Sequence, residues 1–496
     1  MIKYRITFAD ENRSLQVEAG KTVLQTQIDA GLTPDAFCGG KGKCGKCKVV
    51  IDGKEVLACQ TVIDRDMTVY TGQQKTEQAQ ILAEGSQAQL AFLPGDLPGN
   101  LDNPLLGAVD IGSTSVVAYL MDGKTGELLG TRSALNPQRQ FGADVVNRCS
   151  YALTNGAEIL SGCIRNTINT LFRELAREHG RVSEEIVRIV MVGNSCMHHL
   201  FLEISTKNLA LAPYTPEVTE ALELRAADYD LHVHPWAQLW WLPNIGGFVG
   251  ADTVGCLVAS DLDTCEEMTL LVDIGTNGEL VLGNRDGIIS CSTAAGPAFE
   301  GAKITCGMRG SVGAIDHISL ENGEFRIHVI GDGEATGICG SGLLDGAACL
   351  LKAGKIDETG RMEETCYFTD RVYLNQRDIR ELQLAKAAIA AGIQILCQRK
   401  GIRPADIQRV LIAGAFGNYL DPASACAIGM LPPELAGKIT SIGNAAGEGA
   451  RMAALNRGQF ERSKVLAEKA EFVELALDPD FQDVYVDEME FPEEYA

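Results

Sequence analysis

The chain has 496 residues, 16 of them cysteine, and a formal net charge of −23. That length exceeds a single core, so two or three domains are expected. The acidic balance, with no basic stripe interleaved with aromatics, excludes a nucleic-acid partner, and the absence of any long apolar run excludes a membrane span. Sixteen thiols without a signal-peptide pattern indicate a reducing, anaerobic cytoplasm.

Residues 1–72 read as a small β-rich unit. KYRITFA and SLQVEAG alternate about a turn at Asp10–Arg13, and KTVLQTQIDAG follows with helical spacing. KVVIDGKEVLAC is a hairpin turning at Asp52-Gly53, and MTVYTG is a last strand. This order fits an α+β β-grasp ferredoxin fold. Between helix and hairpin lie Cys38, Cys44 and Cys47, and Cys59 follows the hairpin. The spacing C-x5-C-x2-C-x11-C is one residue longer in its first gap than the plant-type [2Fe–2S] run. Four thiolates satisfy two irons, and Gly39, Gly40, Gly42 and Gly45 let the backbone wrap closely around them. Zinc would favour two CxxC pairs, and Cys44/Cys47 is the one present. GKGKCGKC nearly spells a phosphate-binding loop, but Cys47 stands where Ser or Thr is required. Lys41, Lys43, Lys46, Lys48 and Lys54 surround the cysteines, as a solvated face or as a docking surface for an acidic redox partner.

Residues 73–104 combine a short helical stretch, QQKTEQAQILAEG, with a Pro/Gly/Asn-rich run, and read as a linker. From about residue 105 apolar strands alternate with amphipathic helices in an α/β pattern. An internal repeat follows. LLGAVDIGSTSVVAYLMDGKTGELLGT (105–131) and TLLVDIGTNGELVLGNRDGIISCST (269–293) align at Val-Asp-Ile-Gly, pairing Asp110 with Asp273. The repeat implies two half-domains, about 105–268 and 269–496, around a cleft. Each strand would end in an Asp aimed into that cleft. Gly112 with Ser113, Thr114 and Ser115 on one side, and Gly275 with Thr276, Asn277 and Gly278 on the other, would then donate to a polyphosphate. Asp110 and Asp273 would hold Mg²⁺ or its waters, or position the attacking water.

The paired VDIG motifs resemble the two phosphate motifs of the acetate/sugar kinase–Hsp70–actin superfamily. RIVMVGNSCMHHL (188–200) and SIGNAAGEGARMAAL (441–455) are similar to its connecting segments. VLIAGAFGNYL (410–420) resembles its adenosine loop, where Gly414, Ala415 and Gly417 would approach purine and ribose. Joined to a [2Fe–2S] domain, this actin-like/Hsp70-like ATPase fold resembles the reductive activators of corrinoid-dependent enzymes. Further support comes from NPQRQFGADVVNR (136–148), LAPYTPEV (211–218), WLPNIGGFVGADTVG (241–255), STAAGPAFEGAKITCGMRG (292–310) and GICGSGLLDGA (337–347). The resemblance implies ATP-dependent reduction of a Co(II) corrinoid to Co(I) on a corrinoid protein or methyltransferase. It also implies Mg²⁺, an upstream low-potential electron donor and a homodimer. Longer members carry an extra domain between linker and ATPase, whereas here Asp102–Leu106 runs directly into the first VDIG strand, so a short form lacking that middle domain is expected.

The runner-up is an activator of a 2-hydroxyacyl-CoA dehydratase-like radical enzyme. Such activators usually hold a [4Fe–4S] cluster between subunits rather than a fused domain. A third reading is a ferredoxin tethered to a nucleotide-sensing scaffold. The twelve cysteines between Cys149 and Cys426 read as buried core residues, with Cys339 the least bland. His198 and His199 are adjacent on a helix, so their side chains are expected to diverge and not to share a metal. Glu300 is a candidate for contacts with nucleotide or water. The acidic end from Phe472 reads as a strand and turn.

Overall fold

The computed structural model describes residues 3–32, 34, 36, 40–42, 45–71, 91–99, 101–142, 144–212, 214–414 and 416–493. The helical stretch expected within 73–85 lies outside the described residues, as do Cys38, Cys44 and Ala415.

The N-terminal unit is one five-stranded sheet with a helix across it. Strands β1 (Lys3–Phe8), β2 (Arg13–Glu18), β3 (Lys48–Ile51), β4 (Lys54–Leu57) and β5 (Met67–Tyr70) lie in the order β2-β1-β5-β3-β4. The β1–β5 pair is parallel and the other pairs are antiparallel, which is the β-grasp arrangement. Asp52 and Gly53 both adopt positive φ, as a two-residue hairpin turn requires. Helix α1 (Val23–Asp29) starts where the Thr22 side chain accepts from the Gln25 amide, and it buries Val23 and Leu24 against Ile6, Phe8 and Val69.

The remaining chain forms two six-stranded sheets built on the same plan. The first contains β6 (Leu105–Ile111), β7 (Ser115–Asp122), β8 (Leu128–Leu135), β9 (Ile186–Gly193), β10 (Leu222–Arg225) and β11 (Gln238–Trp241), ordered β10-β11-β9-β6-β7-β8. Helices α2 (Val145–Asn155), α3 (Glu158–Glu178), α4 (Ser195–Leu202), α5 (Lys207–Ala210) and α6 (Ala251–Ala259) accompany it. The second sheet contains β12 (Thr269–Ile274), β13 (Gly278–Asn284), β14 (Gly287–Thr293), β20 (Arg409–Ala413), β21 (Ile439–Gly443) and β22 (Ala470–Phe472), ordered β21-β20-β12-β13-β14-β22. Between β14 and β20 the chain forms β15 (Ala314–Glu321), β16 (Glu324–Val329), β17 (Gly337–Ile338), α7 (Gly340–Lys352), a ribbon of β18 (Cys366–Tyr367) and β19 (Tyr373–Leu374), and the long α8 (Gln376–Lys400). Helices α9 (Pro422–Ala427), α10 (Ala445–Leu455), α11 (Arg457–Lys469) and α12 (Phe481–Asp487) follow. The acidic terminus thus holds a short helix rather than a final strand, because β22 already ends at Phe472.

The sequence repeat is a structural repeat. In the first sheet Asp110 sits between Val117 of an antiparallel hairpin partner and Val192 of a parallel neighbour. In the second, Asp273 sits between Glu279 and Ala413 in the same relation. β6 and β12 are apolar almost throughout, as central strands covered on both faces must be. Helices α10 and α11 return from the second sheet to bury Ala445, Ala450, Phe460 and Leu466 in the core of the first. Among the described residues no helix is long and apolar enough to cross a membrane.

Candidate nucleotide cleft and cluster loop

The ends of β6 and β12 open into one cavity of about 240 Å³. Gly112, Ser113, Thr114 and Ser115 line one side, and Gly275, Thr276 and Asn277 the other, with Asp110 and Asp273 at its base. Glu300, which follows the turn at Gly296-Pro297, spans the two loops. Its Oε2 accepts from Thr114 Oγ1 at 2.7 Å and its Oε1 accepts from Thr276 Oγ1 at 2.5 Å. The Ser113 loop is braced from behind. Fully buried Arg148 donates from Nη2 to the Ser113 carbonyl at 2.6 Å, and Asn194 Nδ2 donates to Ser113 Oγ at 3.0 Å.

The remaining predicted residues fall into three groups. Gly414 is in the cleft with φ +87°, and a Cβ there would stand 2.7 Å from Asp273 Oδ1, so a side chain would strike the carboxylate. Gly278 begins β13 opposite Thr293, and Gly417 packs over Ile412; neither lines the cavity. Ala415 lies outside the described residues. Phe416 and Phe299 stack with ring centroids 5.4 Å apart and form an apolar wall.

Sequence reasoning missed two carboxylates. Asp252, in the first turn of α6, and Glu279, on β13, face the same cavity. Asp252 lay within the quoted GADTVG and Glu279 within the second copy of the repeat, one position after the Gly275–Gly278 loop. Asn444 was likewise inside a quoted motif, and its side chain caps α10 by accepting from Gly447 N at 3.0 Å.

Crowding four carboxylates away from water makes them hard to ionise. Burial pushes Asp110 up to about 7, with a hydrogen bond from Asn444 opposing and the charge of Asp273 adding to the shift. Burial pushes Asp273 up to about 6, with the Cys256 thiol 3.8 Å from Oδ2 opposing. Burial and neighbouring charge raise Asp252 and Glu279 as well. A hydrated divalent cation would relieve this repulsion. Among the described residues, however, no three His, Cys, Asp or Glu side chains converge closely enough to cage a metal. The donor set suits Mg²⁺ held through phosphates and waters, with one or two carboxylates in support.

In the N-terminal unit Cys47 and Cys59 are both buried, 4% and 6% exposed, and are tied together by the Ala58 amide donating to the Cys47 carbonyl at 2.7 Å. Gly40, Gly42 and Gly45 all have positive φ, and a Cβ on Gly40 would lie 3.8 Å from the Cβ of Cys59. Gln60 Nε2 lies 3.7 Å from Cys59 Sγ. Two buried cysteines on neighbouring backbone, beside glycines of positive φ, fit an iron–sulfur cluster. The other two predicted ligands, Cys38 and Cys44, lie outside the described residues. The lysine patch is partly engaged: Lys48 pairs with Glu55 at 2.8 Å, and Lys46 Nζ donates to the Ile304 carbonyl at 3.3 Å. That second bond joins the cluster loop to the segment that carries Glu300.

Comparison with known proteins matches these parts in order. The 2Fe-2S iron-sulfur cluster binding domain family covers residues 6–69, the RACo middle region covers 106–265, and the C-terminal domain of RACo, the ASKHA domain, covers 267–496. The corrinoid activation enzyme RamQ of Eubacterium limosum is 32% identical, the alignment covering 97% of this chain and 98% of RamQ. The chain belongs to the RACo family. A second relative, the [Co(II) methylated amine-specific corrinoid protein] reductase of Methanosarcina barkeri, is 28% identical over 77% of this chain and 76% of its own length. A solved reductive activator for corrinoid,iron-sulfur protein superposes with a TM-score of 0.73 at 29% identity, covering 99% of this chain and 98% of its own. This RACo-family chain joins a ferredoxin-like domain to an ASKHA fold.

One expectation is corrected. The middle region is present, so this is not a short form. It begins at residue 106, on the first VDIG strand itself, and folds as the β6–β11 sheet with its helices. No extra residues precede that strand because the strand is itself the first element of the region.

Proposed function

We propose that this chain is an ATP-dependent reductive activator. It reduces the inactive Co(II) corrinoid of a corrinoid protein or methyltransferase to Co(I), one electron per cobalt. The observation that carries this reading is the pair of Asp–Gly loops closing on one cavity in a chain that aligns nearly end to end with a corrinoid activation enzyme.

In this reading Cys38, Cys44, Cys47 and Cys59 hold a [2Fe–2S] cluster, which when bound supplies the electron delivered to cobalt. Gly112 to Ser115 and Gly275 to Gly278 position the polyphosphate, while Gly414, Ala415 and Gly417 form the loop against the nucleoside. Asp110 and Asp273 would hold Mg²⁺ or its water ligands, or position the attacking water. Glu300 receives the two threonine hydroxyls until phosphate oxygens take them. Releasing Glu300 frees the segment that meets the cluster loop at Ile304, so nucleotide state reaches the electron-transfer domain through a two-state contact. The domains assigned are 1–72, a linker over 73–104 and the ATPase from 105. The partners are the corrinoid protein and an upstream low-potential donor, without nucleic acid or membrane, and the active form is a cytoplasmic homodimer.

Single-turnover hydrolysis tests the nucleotide half. MgATP mixed with excess protein and a Co(II) corrinoid protein should yield ADP, and Asp273→Ala should slow that step at least about a hundredfold. Equal rates in the two proteins would remove Asp273 from the chemistry.

A further inference from the structure

Away from the cleft, the β15–β16 hairpin holds two imidazoles side by side. His317 and His328 are directly opposed across the antiparallel pair, with ring centroids 6.4 Å apart. Each is fixed from behind by a carboxylate. His317 Nδ1 meets Asp345 Oδ2, from α7, at 3.0 Å, and His328 Nδ1 meets Asp316 Oδ1 at 2.6 Å. Adjacent residues of a strand normally point to opposite faces. The register shifts between Ile315 and His317, and this bulge at Asp316 lets the side chains of Asp316 and His317 serve one cluster.

The burial is graded. Asp345 and Asp316 are 3% and 6% exposed, whereas the imidazole side chains are 47% and 58% exposed. A carboxylate acceptor assigns the Nδ1 proton, so in each neutral ring Nε2 carries the free lone pair. Both rings face a cavity of about 540 Å³, which Asp345, Tyr419 and Asp421 also line.

We propose that His317 and His328 bind one divalent transition-metal ion through their Nε2 atoms, with water completing its coordination. A carboxylate behind each imidazole is the arrangement that orients and strengthens histidine ligands. The local charge selects a cation: Asp345 and Asp421 line the cavity and Asp316 stands behind His328, while Arg326 is already paired with Glu321 and Glu324. Paired imidazole donors select a metal of the zinc, nickel and cobalt class over Mg²⁺ or Ca²⁺. Among the described residues no third ligating side chain closes the site, so it is an open, exchangeable one. It abuts residues 419–422, which continue the chain from Phe416 at the nucleotide cleft.

Calorimetric titration of the full, cluster-loaded chain with Ni²⁺ after chelator treatment tests this, with the visible cluster spectrum monitored throughout. The expected result is one equivalent bound, lost in both His317→Gln and His328→Gln. Asp345→Asn, which removes the carboxylate behind His317, should weaken binding 10- to 100-fold. The two histidines are half exposed, so their variants fold, and melting curves establish whether Asp345→Asn does. Ni²⁺ uptake unchanged in either histidine variant overturns the site. A folded Asp345→Asn with unchanged affinity also overturns it, leaving adventitious binding by surface imidazoles.

Discussion

Glu300 places a carboxylate between two loops that are otherwise shaped to donate hydrogen bonds to phosphate. Removing its charge while keeping its shape should lower the repulsion met by an incoming nucleotide. At about 1 kcal/mol for a partly solvated pair of like charges, Glu300→Gln should bind MgATP roughly fivefold more tightly. Equilibrium binding of a fluorescent ATP analogue measures it, and a tenfold loss of affinity would show that Glu300 holds the nucleotide instead. Glu300 was visible in sequence as a polar residue beside a Gly-Pro turn; its bridging role was not, since Thr114 lies 186 positions away.

The two adjacent histidines of α4 were expected to diverge, yet their Nδ1 atoms approach to 3.3 Å. Both are core residues. His199 Nδ1 donates to the Ser195 carbonyl at 2.7 Å and its Nε2 accepts from the Glu217 amide at 2.9 Å. His198 Nδ1 accepts from Asn244 Nδ2 at 3.3 Å, which leaves its Nε2 buried without a partner. Burial, helped by the neighbouring His199, lowers His198 to about 3. The unfolded chain therefore takes up this proton first as pH falls below about 6.5, and stability declines progressively from there toward pH 3. The loss reaches at most about 5 kcal/mol, at 1.36 kcal/mol for each pH unit of separation. Melting temperatures between pH 7 and pH 4.5 should fall less steeply in His198→Gln than in the parent chain. Parallel slopes would assign the acid sensitivity to other groups.

At the scale of elements, the contact between α6 and α10 sets how the returning C-terminal helices meet the first half. A Cβ on Gly449 would lie 2.0 Å from the Gly255 carbonyl oxygen, and one on Gly255 would lie 2.6 Å from that of Ala446. Backbones this close leave no flexible group to yield. Gly449→Ala should destabilise the protein by about 2–3 kcal/mol or more, read as a lower denaturant midpoint. A midpoint unchanged within error would mean that the helices separate freely. Gly449 was legible in SIGNAAGEGARMAAL and Gly255 in WLPNIGGFVGADTVG, but their crossing was not, because a sequence repeat shows which strands correspond and not which helices cross. The repeat did carry the fold far. Both hairpins and both aspartates occupy equivalent registers, and the Asp52-Gly53 turn forms where the dipeptide predicts. The middle region escaped for the converse reason: its first strand is also the first copy of the repeat.

At the scale of the whole molecule, the chain carries two candidate sites, each legible separately in the sequence. Cysteine spacing marked one and duplicated aspartates marked the other. The contact between Lys46 and Ile304 that links them has no sequence signature, since it is a side chain meeting a backbone carbonyl 258 residues away. Asp252 and Glu279 were similarly hidden, because a helix start and a strand interior supply them to a cavity that exists only after folding. The proposed function requires coupling: a nucleotide bound in the cleft would have to change what the cluster domain delivers to cobalt.

The direct test is an anaerobic visible spectrum. The pre-reduced chain, freed of excess reductant, is mixed with a Co(II) corrinoid protein with and without MgATP. The Co(I) band should grow only with MgATP and should vanish in Cys47→Ser. Co(I) formed equally without nucleotide, or no Co(I) despite an intact cluster and bound MgATP, would contradict the account.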